Sequence, residues 1–339
     1  EDSKYMIYHC DSLCNGVGDR VKGMLLVLRL AHAFQRVALM VWDEPMPLTE
    51  FLAPNQIDWT LDGLEDRDLL AQDADSPYHM MSMNMRDNKH FVKAIATQEG
   101  QEEFNATKVI KSKTNEMFTM RLWSDAANMD VKPWLVDREF GGQFYGRCLF
   151  QFMFRPSRKL QDATDRALRV VLGSPKASYV AWHWRTGGMV GEEHLKRPGT
   201  TQPKGVASRL AIMMSALNCA RRMIGELEGE VPPLAEQPML LVTDNNIIRH
   251  FVAEGHFRTL ATYNITAVHL QHAGSAPSDY LNIWVDVMLL ARAACRQLSY
   301  SSLGYTGLYM AATTCFQYLN DCVSQEKNFF QNIDVRRSR

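Results

Sequence analysis

The sequence predicts an α/β protein with parallel, doubly wound sheets in two domains. A chain of 339 residues exceeds one ordinary core and suits two domains of about 150 residues each. The chain opens with a strand, a glycine loop, a helix and a second strand, and its second half alternates strands with helices throughout. Because a crossover helix returns the chain in the same direction, both patterns indicate parallel sheets.

The first domain, residues 1–155, begins with a buried strand over residues 4–10. The loop that contains Gly16 and Gly18 follows, and apolar residues at helical spacing then predict a helix over residues 21–34. A second apolar strand is expected over residues 36–42. Beyond it, up to about residue 142, prolines interrupt the pattern, so we expect loops and helices on one rim of the domain.

The second domain, residues 156–339, begins with a helix over residues 157–172 that glycine and proline end at 173–175. Strands are then expected over residues 177–184, 239–242, 266–270 and 297–300, and helices over 207–227, after Asn246, over 280–294 and over 307–318. Two such domains facing one another would leave a cleft at the carboxyl ends of their strands, where α/β sheets bind ligands.

The composition excludes several classes of protein. Lys and Arg number 37 against 38 Asp and Glu, so no strong field favours nucleic acid or a membrane surface. The longest apolar runs, residues 24–28 and 285–290, are far shorter than the roughly 20 residues that span a bilayer. The chain does not begin with Met, and we expect a membrane anchor outside the given sequence. The cysteines form no CxxC pair and no zinc spacing, so no structural metal is expected. Two sequons begin at Asn105 and Asn264.

The first glycine loop is a candidate anion site. Gly16 and Gly18 permit close approach of the backbone, and a helix that directs its amino end at the loop favours a negative charge. Asp19 and Arg20 follow in the same loop. A helix-entry turn that needs glycine explains the same pattern. A dinucleotide fingerprint would need a third glycine where this chain has Val21, so a dehydrogenase is poorly supported, although Asp43 and Glu44 could serve a ribose.

The second loop is more informative because it places Arg185 at the carboxyl end of an inner strand, two residues after His183. The planar guanidinium group binds a diphosphate with two hydrogen bonds and stabilises the charge on a leaving nucleoside diphosphate. A salt bridge to an acidic residue is the alternative.

Polar residues follow the later strands. Asp244 and Asn245 could contact a base or ribose, or could cap the next helix. Asp286 lies within an apolar helix and therefore requires a buried partner. The turn around residues 301–304 is a candidate anion nest, and helix capping alone would explain one of its serines. Its candidate residues are Ser301, Ser302 and Gly304.

These motifs resemble the GT-B-type fucosyltransferase superfamily, which includes α1,6-, nodulation, plant cell-wall and protein O-fucosyltransferases. The family's His-x-Arg motif matches His183 and Arg185, and its Thr-Asp-Asp/Asn strand end matches residues 243–245. Its Asp followed sixteen residues later by a Ser matches Asp286 and Ser302. The amino-terminal glycine loop also resembles the opening of the acceptor domain. The resemblance implies two Rossmann-like domains facing across a cleft.

In the α1,6 branch a glutamate eight residues after the motif arginine is proposed as general base, and Glu193 occupies that position here. A solvated loop with two acids is the alternative reading. The chain departs from that branch at Thr186, Gly188 and Met189, where the branch has a second arginine, an acidic residue and a lysine.

The resemblance implies that GDP-fucose is the donor, with Arg185 and the serines on its phosphates. Asp244, Asn245 and Asp286 would hold guanine and ribose. A base, Glu193 or else Asp19, Asp43 or Glu44, would accept the proton of an acceptor hydroxyl on a glycan or glycoprotein, and one displacement would invert the anomeric carbon. The candidate donor half contains no Asp-x-Asp triplet, and an arginine can replace a divalent cation, so we expect no metal or other cofactor. The Golgi lumen is the expected location.

Two alternatives remain open from the residues. A GT-B transferase could use another nucleotide sugar at the same phosphate groups, and a glycan- or nucleotide-binding protein on this fold would bind without turnover.

Overall fold

The computed structural model describes residues 3–10, 14–62, 97–112, 143–185, 217–218, 221, 237–257, 259–268, 276–299 and 301–318. Packing of the chain divides it into two units, Glu1–Gln161 and Asp162–Arg339. Most of the helix expected over residues 207–227 lies outside the described residues. In the part of the chain that is described, no helix combines the length and hydropathy needed to cross a bilayer.

Unit 1 contains two small sheets. Its elements are β1 (Tyr5–Cys10), α1 (Val17–Ala33), β2 (Val37–Trp42), a 3-10 turn (Leu48–Glu50), β3 (Leu52–Pro54), α2 (Gln98–Ala106), β4 (Val109–Ser112), α3 (Gln143–Met153) and β5 (Phe154–Pro156). The first sheet is parallel in the order β2-β1-β4, and β3 pairs with β5 in antiparallel fashion. The expectation of only loops and helices between residues 43 and 142 was therefore wrong at β3 and β4.

The amino-terminal motif differs from its prediction in where the helix begins. Helix α1 begins at Val17, four residues earlier than expected, because the extended residue Gly16 provides its N-cap. Gly18, Asp19 and Arg20 therefore lie in the first turn of the helix and not in a loop. Upstream, a disulfide joins Cys10, the last residue of β1, to Cys14.

Unit 2 is a five-stranded parallel sheet with helices. Its elements are α4 (Arg158–Leu172), which crosses the boundary of the units, β6 (Val180–Trp184), β7 (Met239–Thr243), α5 (Asn246–Ala253), β8 (Leu260–Thr262), α6 (Pro277–Arg292), β9 (Cys295–Leu298), α7 (Ser302–Met310) and β10 (Phe316–Tyr318).

The strand order of this sheet, β10-β9-β6-β7-β8, reverses at β6. Strands β7 and β8 follow on one side of β6, and β9 and β10 lie on its other side. Successive side chains alternate between the faces of a strand. Trp182 therefore packs with Ile248 and Val252 of α5, whereas His183 faces Gly304 of α7. Ligands of such sheets bind outside the carboxyl ends of the strands at the reversal point, so the end of β6 is where the fold places a site.

Two predicted elements of unit 2 were wrong. A strand was expected over residues 266–270, but the strand that pairs with β7 is β8, and residues 263–268 form neither helix nor strand. A helix was expected over residues 307–318, but α7 ends at Met310 and is followed by β10. The helix stops because residue 315 is bound to β9 in two ways: Cys315 forms a disulfide with Cys295, and its carbonyl accepts from the Arg296 amide at 3.1 Å.

Arg296 of β9 secures the carboxyl end of α6. The side chain is fully buried, and its guanidinium donates to the carbonyls of Leu290, Ala291 and Ala293, at 2.6, 2.6 and 2.8 Å. It also donates to the Thr313 and Cys315 carbonyls. The last turn of a helix leaves its carbonyls without intrahelical donors and favours a cation. One side chain thus caps α6 and joins it to the segment before β10.

We expect Arg296→Met to lower the free energy of unfolding by about 3–5 kcal/mol, because several buried carbonyls lose their donor together. Arg296→Lys keeps the charge but loses the planar guanidinium group. Its free energy of unfolding should therefore lie between those of the wild type and Arg296→Met. Urea unfolding measures both, with the exposed Arg169→Met as control, which should change stability by less than about 0.5 kcal/mol. Equal values for Arg296→Met and the control would contradict this account.

Candidate functional site

A pocket lies at the carboxyl ends of the unit 2 strands, where the strand order reverses. It is bounded by β6, β7, the segment after β8, α6 and the start of α7. The residues that line it are His183, Arg185, Val242, Thr243, Asp244, Ile265, Thr266, Ala267, Val268, Asn282, Ile283, Asp286 and Leu303. The structure thus brings together His183, Arg185, Asp244 and Asp286 from the predicted site residues.

His183 is buried in this pocket, with 3% of its surface exposed, and its Nδ1 atom has no hydrogen-bond partner among the described residues. Burial lowers the pKa of His183 to about 4, although the nearby Asp244 carboxylate opposes the shift. The imidazole is therefore neutral at physiological pH. A Cβ atom at Gly304 would lie 3.0 Å from Nδ1, which explains why the helix carries glycine there.

Arg185 follows β6 immediately, and its backbone is fixed by the neighbouring strand. Its amide donates to Ser299 Oγ at 3.1 Å, and Ser299 Oγ in turn donates to the His183 carbonyl at 2.8 Å. Ser299, which directly follows β9, thus holds the end of β6 through these two hydrogen bonds. The guanidinium group of Arg185 is half-buried and lines the pocket.

Ser301 and Ser302 occupy different positions at the start of α7. Ser301 is the N-cap, and its hydroxyl accepts from the Leu303 amide. That bond confirms the alternative that capping explains one serine. Ser302 is the first residue of the helix, and Leu303 lines the pocket. The amino end of α7, which carries partial positive charge, therefore adjoins the pocket.

Asp244 and Asn245 also differ in their surroundings. Asp244 lines the pocket, whereas Asn245 is 1% exposed and its side chain accepts from the Ile248 amide at 3.1 Å as the N-cap of α5. Asn245 therefore caps α5, as the capping alternative expected, and its contact with a donor stays a prediction.

Asp286 has the buried partner that its helix requires. Arg249 of α5 donates to both carboxylate oxygens, from Nη1 to Oδ1 at 3.1 Å and from Nη2 to Oδ2 at 2.7 Å. The same guanidinium donates to the carbonyls of Tyr263, at 3.0 Å, and Thr243. Burial raises the pKa of Asp286, and the paired guanidinium opposes that rise. A carboxylate has about four lone-pair positions, so Asp286 retains acceptor capacity towards the pocket.

Sequence reasoning missed Arg249 and Asn282 of this region. A cation among the apolar residues of α5 was the available signal for Arg249, because such a charge also requires a buried partner.

The first-domain candidates lie in unit 1 at the ends of β1 and β2. Arg20 is buried and donates to the Asn15 carbonyl at 3.0 Å and to the Glu44 carbonyl, and its guanidinium carbon lies 4.5 Å from the Trp42 ring centroid. Arg20 therefore holds the turns after both strands. Asp19 is paired with Lys22 at 3.3 Å.

Gly16 caps α1 and Gly18 lies within it, and Asp43 is exposed. Glu193, with Thr186, Gly188 and Met189, lies outside the described residues.

No protein-family model matches the chain, and no curated protein matches it in sequence.

Solved structures do resemble it. A point mutant of FUT1 from Arabidopsis thaliana, in complex with GDP, matches with a TM-score of 0.59 and 15% identity over 93% of this chain and 70% of that chain. The fucosyltransferase NodZ from Bradyrhizobium matches with a TM-score of 0.51 and 13% identity over 91% of this chain and 92% of its own. At these identities the likeness shows the fold: the chain has the mixed α/β fold of the GT-B-type fucosyltransferases, which confirms the resemblance at the level of fold.

The lowered pKa of His183 predicts an acid-dependent loss of stability. The unfolded chain binds a proton at this histidine near pH 6.5, whereas the folded chain binds one only near pH 4. The stability that a neutral His183 contributes is therefore complete above pH 6.5 and declines as the pH falls towards 4, by on the order of 3 kcal/mol in all.

Urea unfolding of the wild type and of His183→Gln across this range measures the effect. The variant should lose less stability on acidification, and His32→Gln, which removes an exposed histidine, should behave as the wild type does. An identical acid slope in all three proteins would refute the assignment.

Proposed function

We propose that the chain is an inverting fucosyltransferase that moves fucose from GDP-fucose to a hydroxyl group of a glycan or glycoprotein. The observation that carries the proposal is the pocket at the reversal point of the unit 2 sheet, where His183, Arg185 and the amino end of α7 come together. The fold, shared with a FUT1 structure that contains GDP, supports a nucleotide-sugar ligand.

The chemistry of this end of the pocket suits a diphosphate. The Arg185 guanidinium offers parallel N–H donors to phosphate oxygens, and the amino end of α7 adds partial positive charge. His183 is neutral and therefore adds no charge to this end of the pocket. Asp286, already bound to Arg249, and Asp244 would face the nucleoside.

In the proposed reaction the acceptor oxygen attacks the anomeric carbon of fucose. The bond from that carbon to the diphosphate oxygen breaks, and GDP leaves with the electron pair. Arg185 stabilises the charge that develops on the leaving group. The proton passes to a base, for which Glu193 is the first candidate and Asp19, Asp43 and Glu44 are the alternatives. A single displacement inverts the anomeric carbon.

We also propose that the protein works in the secretory pathway, in the Golgi lumen, with a membrane anchor outside the given sequence. Two disulfides, Cys10–Cys14 and Cys295–Cys315, support an oxidising compartment. Both sequon asparagines, Asn105 and Asn264, are exposed and therefore accessible to glycosylation.

Calorimetric titration with GDP, GDP-fucose and UDP tests the donor site. We expect the wild type to prefer the guanine nucleotides and Arg185→Ala to bind GDP about 10- to 100-fold more weakly, since charge-assisted hydrogen bonds contribute about 1.5–3 kcal/mol. Arg169→Ala, which removes an exposed arginine of the same unit, serves as the matched control and should bind as the wild type does. Equal affinity for GDP and UDP would defeat the fucosyltransferase proposal.

Turnover in the presence of a chelator tests independence of metal ions. We expect fucose transfer to continue at an unchanged rate in EDTA, because Arg185 neutralises the leaving diphosphate. The first half of the chain contains two Asp-x-Asp triplets, at residues 66–68 and 73–75, both outside the described residues. Activity that EDTA abolishes and Mn²⁺ or Mg²⁺ restores would contradict the prediction and direct attention to those triplets.

A further inference from the structure

Asn246, the first residue of α5, holds the segment that follows β8. Its side-chain amide makes both possible hydrogen bonds with the backbone of Ala267: Oδ1 accepts from the amide at 2.7 Å, and Nδ2 donates to the carbonyl at 3.3 Å. The N–H and C=O groups of one residue lie on the same side only where the backbone is extended, as in a strand. The asparagine therefore acts as a one-residue substitute for a neighbouring strand.

This contact determines which way the adjacent peptide groups point. In extended backbone the hydrogen-bonding groups of successive residues face opposite sides. With Ala267 turned towards Asn246, the groups of Thr266 and Val268 face away from it, and both residues line the pocket. Neither residue has a hydrogen-bond partner within the described part of the chain. The backbone N–H and C=O groups of these two residues are therefore available to a ligand that occupies the pocket.

The opposite wall at this end is also polar and uncharged. Asn282 of α6 lines the pocket one helical turn before Asp286, and its amide makes no hydrogen bond with the described residues. The apolar residues Val242, Ile265 and Ile283 also line the pocket. Such a slot, with neutral donors and acceptors between apolar walls, suits a planar heterocycle and not a phosphate.

The two ends of the pocket are separated along the edge of the sheet. Helix α7 follows β9, Arg185 follows β6, and the segment held by Asn246 follows β8, two strands beyond β6. At about 4.8 Å per strand, the segment lies roughly 14 Å along the sheet from the strand that precedes α7. A nucleotide whose phosphates lie at α7 and Arg185 would extend its base towards this segment.

We propose that Asn246 is a positioning residue for base recognition: it orients the peptide groups of Thr266 and Val268 so that they, together with the Asn282 amide, bind the polar edge of the donor's base. The inference rests on the proposed function and deepens it by locating the base subsite. Guanine, which presents N–H donors beside a carbonyl acceptor on one edge, matches a wall of alternating peptide carbonyls and amides.

Calorimetric titration with GDP and UDP of the wild type, Asn246→Ala and Asn246→Asp tests the proposal. Asn246→Ala removes both hydrogen bonds to Ala267. Asn246→Asp loses the donor, yet an acid in the first turn of α5 suits the helix, so this variant separates base recognition from folding. Each variant should bind GDP at least tenfold more weakly and UDP with a smaller change, so the GDP-to-UDP preference falls. Asn264→Ala, on the same segment but outside the pocket lining, should keep the preference.

The outcomes distinguish this inference from the proposed function. If the wild type prefers GDP and Arg185→Ala weakens GDP binding as expected, but the Asn246 variants keep the GDP-to-UDP preference, the base-positioning role is overturned and the donor site stands. A parallel loss of GDP and UDP affinity in Asn246→Asp would also overturn it. A wild type that binds neither nucleotide, or binds both equally, would overturn the proposed function and the inference together.

Discussion

Unit 2 depends on a buried ion pair between Arg249 and Asp286. Each partner is costly to bury alone, and the cost is recovered only because two well-directed hydrogen bonds join them. The guanidinium also binds carbonyls at the end of β7 and in the segment after β8. Helices α5 and α6 are thus fixed to each other and to two walls of the pocket. A hydrophobic pair of similar volume could fill the space but could not specify these orientations.

The same pair shapes the electrostatics of the pocket. It offsets the negative charge of Asp286, and burial removes the positive charge of His183. Positive charge in the pocket lining then comes from Arg185 and from the amino end of α7. Negative charge comes from Asp244 at the end of β7. Positive charge is concentrated at β6 and β9, and the lining towards β8 is mostly neutral. That gradient along one sheet edge supports the proposal that the phosphates and the base bind at opposite ends of the pocket.

Much of this organisation could be predicted from the sequence, because it depends on local chemistry. The positions of Arg185 and His183 at a strand end follow from a short apolar run and its abrupt stop, and the need for a partner of Asp286 follows from an acid in an apolar helix. The identity of that partner could not be predicted, since Arg249 is 37 residues away and the pairing is set by tertiary packing. The short strands β4, β8 and β10 were missed or displaced, because three or four residues carry too little periodicity to be recognised without the neighbour they pair with. Glu193 and its loop remain predictions.

The edge of the sheet at β9 and β10 is fastened twice. The Cys295–Cys315 disulfide and the Arg296 guanidinium both join β9 to the segment that leads into β10, and they do so from consecutive residues of the same strand. The disulfide is covalent and sensitive to reducing agents. The hydrogen bonds of the Arg296 guanidinium do not react with thiols. Reduction of the disulfide therefore removes only one of the two links, and the hydrogen bonds of Arg296 continue to hold this edge of the sheet.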